Sequence, residues 1–440
     1  MITARAFAGK HYAVYGLARS GLATVEALLA SGARVTAWDG NEDARAKLPK
    51  SADLADLDSA DLSQFDSLVV SPGVPLNRHP IAERARNAGV EIIGDIELFA
   101  RARRELPPHK VVGITGTNGK STTTALVHHI LKTAGVPSEM GGNIGLPILA
   151  QDPLPEGGVY VLELSSYQLD LTQSLDCDVA VLLNITPDHL DRYDSFEAYA
   201  ASKARLFEMQ RSGIEILMID DSIVLEIAAK RPVSFAEWTK DPSDRRSRRA
   251  LSADMLDEYP DDQTNWATLQ GPHNAQNAIA AVAICEQLGL SWQQIQEGLR
   301  SYPGLPHRME RVRTLNGVTF VNDTKATNPT ATAPALAAFP AIRWILGGRA
   351  KSDNLDECAP HFGHVRSAYT IGEAAELFER LLKPNMPVKN CRELGEAVRQ
   401  AAHDAESGDT VLLSPACASF DQFRDFEERG DQFRAFVGAL

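Results

Sequence analysis

No apolar run in the 440 residues reaches the ~18–20 residues that a membrane-crossing helix requires. The opening stretch from Met1 to Lys10 lacks the basic-then-apolar pattern of a secretion signal. Cysteine is sparse. Cys177, Cys285, Cys358, Cys391 and Cys417 stand far apart, with no CxxC or CxxH spacing. That excludes a zinc-ligand motif and a disulfide framework, and it suits a reducing cytoplasm. Net positive charge is also missing. The formal charge of −14 argues against the broadly basic surface of a nucleic-acid binder. Anionic ligands must then be met locally, by glycine loops, helix N-termini and placed lysines or arginines. The one basic cluster, Arg245-Arg246-Ser247-Arg248-Arg249, sits between acidic neighbours and reads as a solvated loop or turn. Short repeats of solenoid or propeller type are absent.

What is present is ordinary globular composition, 44% hydrophobic and 23% charged. The length allows two to four domains at ~100–200 residues each. Short apolar strands alternate with longer helical patterns in three successive α/β blocks, which implies mostly parallel sheets. The first block runs over 1–98. Its strands are expected at Tyr12–Tyr15, Arg34–Trp38 and Ser67–Val70. The segment Arg101–His109, with two prolines, reads as a linker. The second block, 99–304, opens on a strand at Val111–Ile114. Helices are expected over Phe196–Met209, Ala275–Leu288 and Gln293–Leu299. Tyr302–Pro306 reads as a second linker. The third block, 305–440, has strands expected near Val318–Asn322, Arg343–Leu346, Ser367–Ile371 and Thr410–Leu413.

The strongest local signal comes directly after the strand at Val111. In Gly116-Thr117-Asn118-Gly119-Lys120-Ser121-Thr122 a glycine loop leads into a helix. Glycines let backbone N–H groups turn toward phosphates, Lys120 meets their charge, and Ser121 can ligate Mg²⁺. The strict P-loop pattern wants glycine at 114, where this chain has Ile114. Alone, the loop specifies a nucleoside triphosphate and leaves motor, transporter and kinase open.

Two further motifs end apolar strands. Glu163 opens Glu163-Leu164-Ser165-Ser166-Tyr167-Gln168, and His189 lies in Asn184-Ile185-Thr186-Pro187-Asp188-His189-Leu190-Asp191-Arg192. A carboxylate at a strand's carboxyl end beside a phosphate loop is a natural Mg²⁺ ligand, although a capping role is equally open. His189 reads equally as structural or functional. In the first block, Gly16-Leu17-Ala18-Arg19-Ser20-Gly21 is a degraded dinucleotide fingerprint. Ala18 replaces its second glycine, which disfavours close pyrophosphate approach and hence a nicotinamide oxidoreductase.

Taken in order, TGTNGKST, GGNIG (Gly141–Gly145), ELSSYQL and NITPDHLDRY resemble the central domain of the Mur ligases, with folylpolyglutamate synthases as cousins. Similarity continues through Lys203, Gly271-Pro272-His273-Asn274-Ala275-Gln276-Asn277, His307-Arg308, Asp323-Thr324-Lys325-Ala326-Thr327-Asn328, Gly347-Gly348-Arg349-Ala350-Lys351 and the segment from Ser414 to Phe423. The C-terminal motifs are most similar to those of the D-glutamate-adding branch.

The resemblance implies a three-domain fold in series: a Rossmann-like N-terminal domain, a central P-loop domain and a Rossmann-like C-terminal domain. It implies ATP-dependent ligation of D-glutamate to UDP-N-acetylmuramoyl-L-alanine through an acyl phosphate, by a monomeric cytoplasmic enzyme. By match to the family, Lys120 contacts the ATP phosphates. Ser121 and Glu163 hold one Mg²⁺, and His189 and a CO₂-derived carbamate on Lys203 hold a second. Without the resemblance, Lys203 reads as a solvated helix lysine. Asn274 and Asn277 match adenine contacts, their i, i+3 spacing placing both on one helix face. For Asn274 a helix cap is the alternative. Arg308 and Asp323 match nucleotide contacts, and Lys325 matches the residue that stabilises the acyl phosphate. Thr327, Lys351, Ser419 and Phe426 match contacts to the incoming amino acid. Unaided, Ser419 reads as a helix cap and Phe426 as core. Ser20, Asp39, Asn41, Ser71 and Gly73, with Asn143, are the expected contacts to the UDP-sugar substrate.

Overall fold

A computed structural model describes residues 1–189, 191–230 and 248–440. The chain forms two compact units, Met1–Tyr302 and Pro303–Leu440. Among the described residues no helix is long and apolar enough to cross a membrane.

Among the described residues the first unit holds two sheets. In one, β1 (His11–Tyr15), β2 (Arg34–Trp38), β3 (Asp53–Leu54), β4 (Ser67–Val70) and β5 (Glu91–Ile93) lie parallel in the order β3-β2-β1-β4-β5. The strand order reverses between β1 and β4, and ligands of such sheets bind beyond the carboxyl ends at that point. Gly16 leaves β1 with φ 93°. A Cβ on Gly21 would lie 1.9 Å from the Gly16 carbonyl oxygen. The first and third glycines of the fingerprint are thus steric necessities, while Ala18 serves as the N-cap of helix Arg19–Ala30.

The second sheet contains β6 (His109–Thr115), β7 (Ser138–Gly142), β8 (Gly158–Glu163), β9 (Val179–Leu182), β10 (Ile214–Met218) and β11 (Arg248–Leu251). All are parallel, in the order β11-β10-β9-β6-β8-β7. β8 and β9 are buried along their whole length, as strands covered on both faces must be. The basic cluster departs from the expected loop. Arg245, Arg246 and Ser247 lie outside the described residues, but Arg248 and Arg249 begin strand β11. Arg249 sits 4.0 Å from the Glu286 carboxylate.

The segment expected as a linker, Arg101–His109, starts inside a helix and reaches β6 at His109. Arg101 lies in the last turn of helix Asp95–Ala102, and its guanidinium pairs with Glu91 and Glu97 at 2.7 and 2.9 Å. Glu97, 1% exposed, accepts from the Gln173 and Ser174 backbone N–H groups at 2.7 and 2.9 Å. One apolar cluster runs from Tyr12 and Val14 through Phe99 to Tyr160 and Leu162, so the two sheets share a core. Pro107 and Pro108 stand in the short break between the turn Arg103–Glu105 and β6, as residues that bar regular structure locally should.

The second unit carries β12 (Glu310–Leu315), β13 (Val318–Asn322), β14 (Ile342–Gly347), β15 (Val365–Ile371), β16 (Val388–Arg392) and β17 (Thr410–Leu413). Their order is β12-β13-β17-β14-β15-β16. Only the edge pair β12 and β13 is antiparallel. Apolar clusters cover both faces, one around Trp344 and Phe378, the other around Tyr369 and Phe433.

Candidate active site

At the carboxyl end of β6 the chain turns through Gly116 and Gly119, with φ 153° and 80°. Helix Lys120–Thr133 begins at once. A Cβ on Gly119 would lie 2.2 Å from Asn277 Oδ1, so glycine is required there by backbone and by space alike. The loop is fixed by Asn184, just beyond β9. Thr117 N–H donates to the Asn184 carbonyl at 2.8 Å, and Asn118 N–H donates to Asn184 Oδ1 at 2.8 Å. Lys120 Nζ donates to the Thr117 carbonyl at 2.7 Å. Ser121, buried, and Thr122 open the helix, whose first N–H groups carry the positive end of its dipole. The result is a hydrogen-bonded cradle suited to phosphate.

Glu163 ends β8 on the neighbouring strand. It is 2% exposed. Its Oε1 accepts from Asn143 Nδ2 at 2.9 Å, whereas Oε2 is buried with no hydrogen-bond donor. An unpaired buried anionic oxygen is costly, and this one fits a hard divalent cation. The capping alternative falls away, because Ser165 caps the next helix through a capping box with Gln168. Asn143 is delivered by Gly142, where φ is 86° and a Cβ would strike the Glu163 carbonyl at 2.1 Å.

Lys203 is not a solvated lysine. Helix Phe196–Glu208 turns Tyr199, Ser202, Lys203 and Phe207 inward, leaving Lys203 2% exposed. Its Nζ donates to the Gly116 carbonyl at 2.7 Å and lies 4.7 Å from the Tyr199 ring centroid. Burial, aided by the nearby positive charge of Lys120, pulls its pKa from 10.5 down to about 7. His189 adopts φ 54°. Its half-exposed imidazole lies 3.4 Å from the Asp188 carboxylate and 5.0 Å from the Tyr167 ring. Leu190, within the same motif, lies outside the described residues.

Asn274 and Asn277 share one face of helix Pro272–Gln287, and Asn277 Nδ2 donates to Asn274 Oδ1 at 3.1 Å. Asn274 does not cap the helix; Gly271 does. Asn277 Oδ1 accepts from Thr123 Oγ1 at 3.2 Å, tying this helix to the one that leaves the glycine loop.

In the N-terminal sheet, Asp39 Oδ2 accepts from Leu17 N–H at 2.6 Å and Oδ1 from Asn41 N–H at 2.8 Å. Asn41 caps the short helix Glu42–Arg45. Ser71 Oγ donates to the Gly16 carbonyl at 2.8 Å. Ser20 lies in the first turn of helix Arg19–Ala30, and Gly73 is exposed. Ser20, Ser71 and Gly73 thus surround the carboxyl ends of β1 and β4.

In the second unit Asp323 is 5% exposed. It accepts from Ser414 Oγ at 2.7 Å and Met309 N–H at 3.2 Å. Burial raises its pKa from 3.8 to about 7, with the Ser414 bond and the Arg308 charge opposing. Lys351 Nζ donates to Thr327 Oγ1 at 3.2 Å. Lys325 Nζ stands 5.3 Å from the Phe426 ring. Ser419, 2% exposed, does not cap the last helix, because Asp425 does. Phe426 is only partly buried and begins that helix.

Comparison with known proteins fits this arrangement. Residues 10–94 match the Mur ligase MurD-like N-terminal domain, 114–285 the Mur ligase middle domain, and 307–417 the Mur ligase glutamate ligase domain. A protein of Novosphingobium aromaticivorans named UDP-N-acetylmuramoylalanine--D-glutamate ligase is 61% identical, over 100% of this chain and 97% of its own. The chain belongs to the Mur ligase family. Proteins of the same name from Sphingopyxis alaskensis and Zymomonas mobilis are 58% and 52% identical, each covered completely. Among solved structures, this Mur ligase shares its fold with the UDP-N-acetylmuramate-alanine ligase MurC of Thermotoga maritima. The TM-score is 0.57 at 16% identity, over 98% of this chain and 99% of that one. Like its family, it is an ATP-dependent ligase.

Two residues of this Mur ligase carry structural weight that sequence reasoning assigned to neither. Asn184 pins the glycine loop and reaches Gln276 on the Asn274 helix at 3.1 Å. Arg429 is 0% exposed. It donates to Thr324 Oγ1 at 2.9 Å, and to the carbonyls of Thr324 and Cys417 at 3.0 Å each. It thus ties the Lys325 loop to the Ser419 loop. The spacing of Asn184, immediately after an apolar strand and level with the glycine loop, was the available signal for the first. None marked the second.

Proposed function

We propose that this Mur ligase joins D-glutamate to UDP-N-acetylmuramoyl-L-alanine, acting as a cytoplasmic monomer in the synthesis of peptidoglycan precursors. The reaction class rests on one observation above others. A phosphate cradle, an unpaired buried carboxylate oxygen and a buried lysine of lowered pKa converge at the carboxyl edge of one sheet. The substrate pair is favoured by relatives of that name matched over 97% and 100% of their length.

A carboxylate is a poor electrophile. Transfer of the γ-phosphoryl group of ATP to an oxygen of the L-alanyl carboxylate releases ADP and leaves an acyl phosphate. The amine of D-glutamate then attacks the acyl carbon, the C–O bond to phosphate breaks, and amide, phosphate and a proton result. Such chemistry depends mainly on alignment and on meeting developing charge.

Gly116, Thr117, Asn118, Gly119 and Thr122 cradle the ATP phosphates with Lys120. Asn274 and Asn277 meet the adenine. Ser121 and Glu163 would hold one Mg²⁺, and His189 with a carbamate on Lys203 would hold a second; bound there, Mg²⁺ would offset the negative charge of the transferring phosphoryl group. A carbamate forms when the unprotonated amine adds to CO₂ and loses a proton, and the lowered pKa of Lys203 makes that amine available at neutral pH. Arg308 and Asp323 contact the nucleotide, and Lys325 steadies the acyl phosphate. Lys351, Thr327, Ser419 and Phe426 receive the glutamate. Ser20, Asp39, Asn41, Ser71, Gly73 and Asn143 bind the UDP-sugar.

Purified protein with ATP, Mg²⁺ and both substrates should release ADP and phosphate only when all components are present. L-alanine, L-glutamate, a diamino acid and D-alanyl-D-alanine should each fail to replace D-glutamate. Release no greater with D-glutamate than without it overturns the assignment.

A further inference from the structure

Between β4 and helix Pro80–Asn87 the chain passes Ser71, Gly73 and Val74, the expected UDP-sugar loop. This loop is interlocked with the segment that bears His189. Arg192 Nη2 donates to the Val74 carbonyl at 2.9 Å and the Pro72 carbonyl at 3.4 Å. Its Nη1 donates to the Gly73 carbonyl at 3.4 Å. In return, Arg78 Nη2 and Asn77 Nδ2 donate to the Asp191 carbonyl at 2.7 and 3.2 Å. Arg192 is joined to the histidine twice. Its backbone N–H donates to the His189 carbonyl at 2.9 Å. Its guanidinium stacks 4.1 Å from the centroid of Tyr167, the ring that also packs on His189. On the other side, Val74 N–H donates to the Ser71 carbonyl at 3.0 Å, and Ser71 Oγ reaches Gly16.

We propose that Arg192 is a positioning residue that couples the UDP-sugar loop to His189, so that the same contact sets substrate affinity and the orientation of the imidazole. The chemistry of the acceptors favours this role. Arg192 spends its donors on three carbonyls of one turn, an arrangement that only a planar, multiply donating cation can span while stacking on a ring. A lysine offers charge without that fork. The coupling rests on the ligase reading for its consequence, but the interlock itself is independent of it.

The test uses the full chain with Arg192→Ala, Arg192→Lys and Arg78→Ala. Binding of UDP-N-acetylmuramoyl-L-alanine is measured by calorimetry without ATP or glutamate, and ligation by steady-state kinetics. Arg192→Ala and Arg192→Lys should each weaken that binding by about tenfold and depress kcat by about tenfold, with the KM for ATP unchanged. Arg78→Ala, on the exposed side of the interlock, should shift both in the same direction by about threefold. Wild-type behaviour in Arg192→Lys would assign the effect to charge alone and overturn the proposal. So would a wild-type Arg78→Ala, or a loss that raises the KM for ATP equally. Hydrogen exchange of residues 71–78 in the free protein reads the interlock without substrate. It should quicken in Arg192→Ala, and unchanged exchange overturns the coupling even if ligation has failed on other grounds. A wild type that binds the UDP-sugar but does not ligate sinks the functional reading alone.

Discussion

Lys203 Nζ and the Gly116 carbonyl oxygen lie 2.7 Å apart, joining a buried lysine to the first glycine of the phosphate loop. The contact gives the buried amine an acceptor, while burial and the nearby Lys120 charge drive its pKa down to about 7. If the working form is a carbamate, Lys203→Ala removes an anionic metal ligand, and activity should fall by ~10²-fold or more. Formate or acetate should restore part of it. Ligation assays with and without added acid decide the point, and a variant that no short acid rescues argues for the plain amine.

Glu163→Gln separates a cation ligand from a structural acid. The amide keeps a partner for Asn143 but replaces the unpaired anionic Oε2. Thermal stability without Mg²⁺ should hold or rise, because an unpaired buried charge has been removed. Turnover should drop by ~10²–10³-fold and the Mg²⁺ concentration for half-activity should increase. Loss of stability with unaltered Mg²⁺ dependence contradicts the ligand role.

Gly119→Ala asks an L-residue to hold φ 80° with its Cβ 2.2 Å from Asn277 Oδ1. The strain should cost about 1–3 kcal/mol. Moving Asn277 aside would also disturb its bond with Thr123. Denaturant unfolding and ADP release should both register the change, the KM for ATP rising. An alanine variant with normal stability would mean that the turn has another conformation.

Residues at the carboxyl end of a buried strand were legible in the sequence. The glycine loop, Glu163 and His189 each come after an apolar run, and the apolar period places them at a sheet's carboxyl edge. Long-range pairing was opaque. Lys203 looks outward by residue type, and only the packing of its helix against Gly116 reverses that. β7, Ser-Glu-Met-Gly-Gly, has the composition of a loop yet pairs along its full length with β8. The charged start of β11 hides an edge strand in the same way. Arg101 looks solvated until Glu97, one helical turn back, and Glu91 close on it, and Arg429 until Thr324, remote in sequence, is brought to it.

Asp323 gives the second unit a defined pH response. Its carboxyl binds a proton up to about 7 when folded, against an ordinary 3.8. Between those values the native state holds more protons than the unfolded chain, so this group's stabilising contribution is present at low pH and lost as pH rises toward 7. Asp323→Asn cannot titrate. The stability of wild type relative to this variant should therefore decline from about pH 4 to about pH 7, by on the order of 1 kcal/mol per pH unit at the steepest, and level off above. Urea unfolding of both proteins across that range measures it. A difference that grows with pH has the wrong sign and removes the assignment.

Arg429 tests how far the glutamate loops depend on a residue remote from the chemistry. Its guanidinium is enclosed by Thr324, Gly347, Cys417 and Ala418 acceptors, and burial lowers its pKa to about 10. It stays a cation at neutral pH because those oxygens replace its hydration. Arg429→Met keeps much of the volume and strands the carbonyls, which should cost about 3–5 kcal/mol. Arg429→Lys should recover only part, since one ammonium cannot reach both Thr324 and Cys417 in the fork geometry. In the lysine variant, where folding is better preserved, the KM for D-glutamate should rise more than the KM for ATP. Equal effects on the two constants would mean that Arg429 supports the unit as a whole and not the loops that carry Lys325 and Ser419.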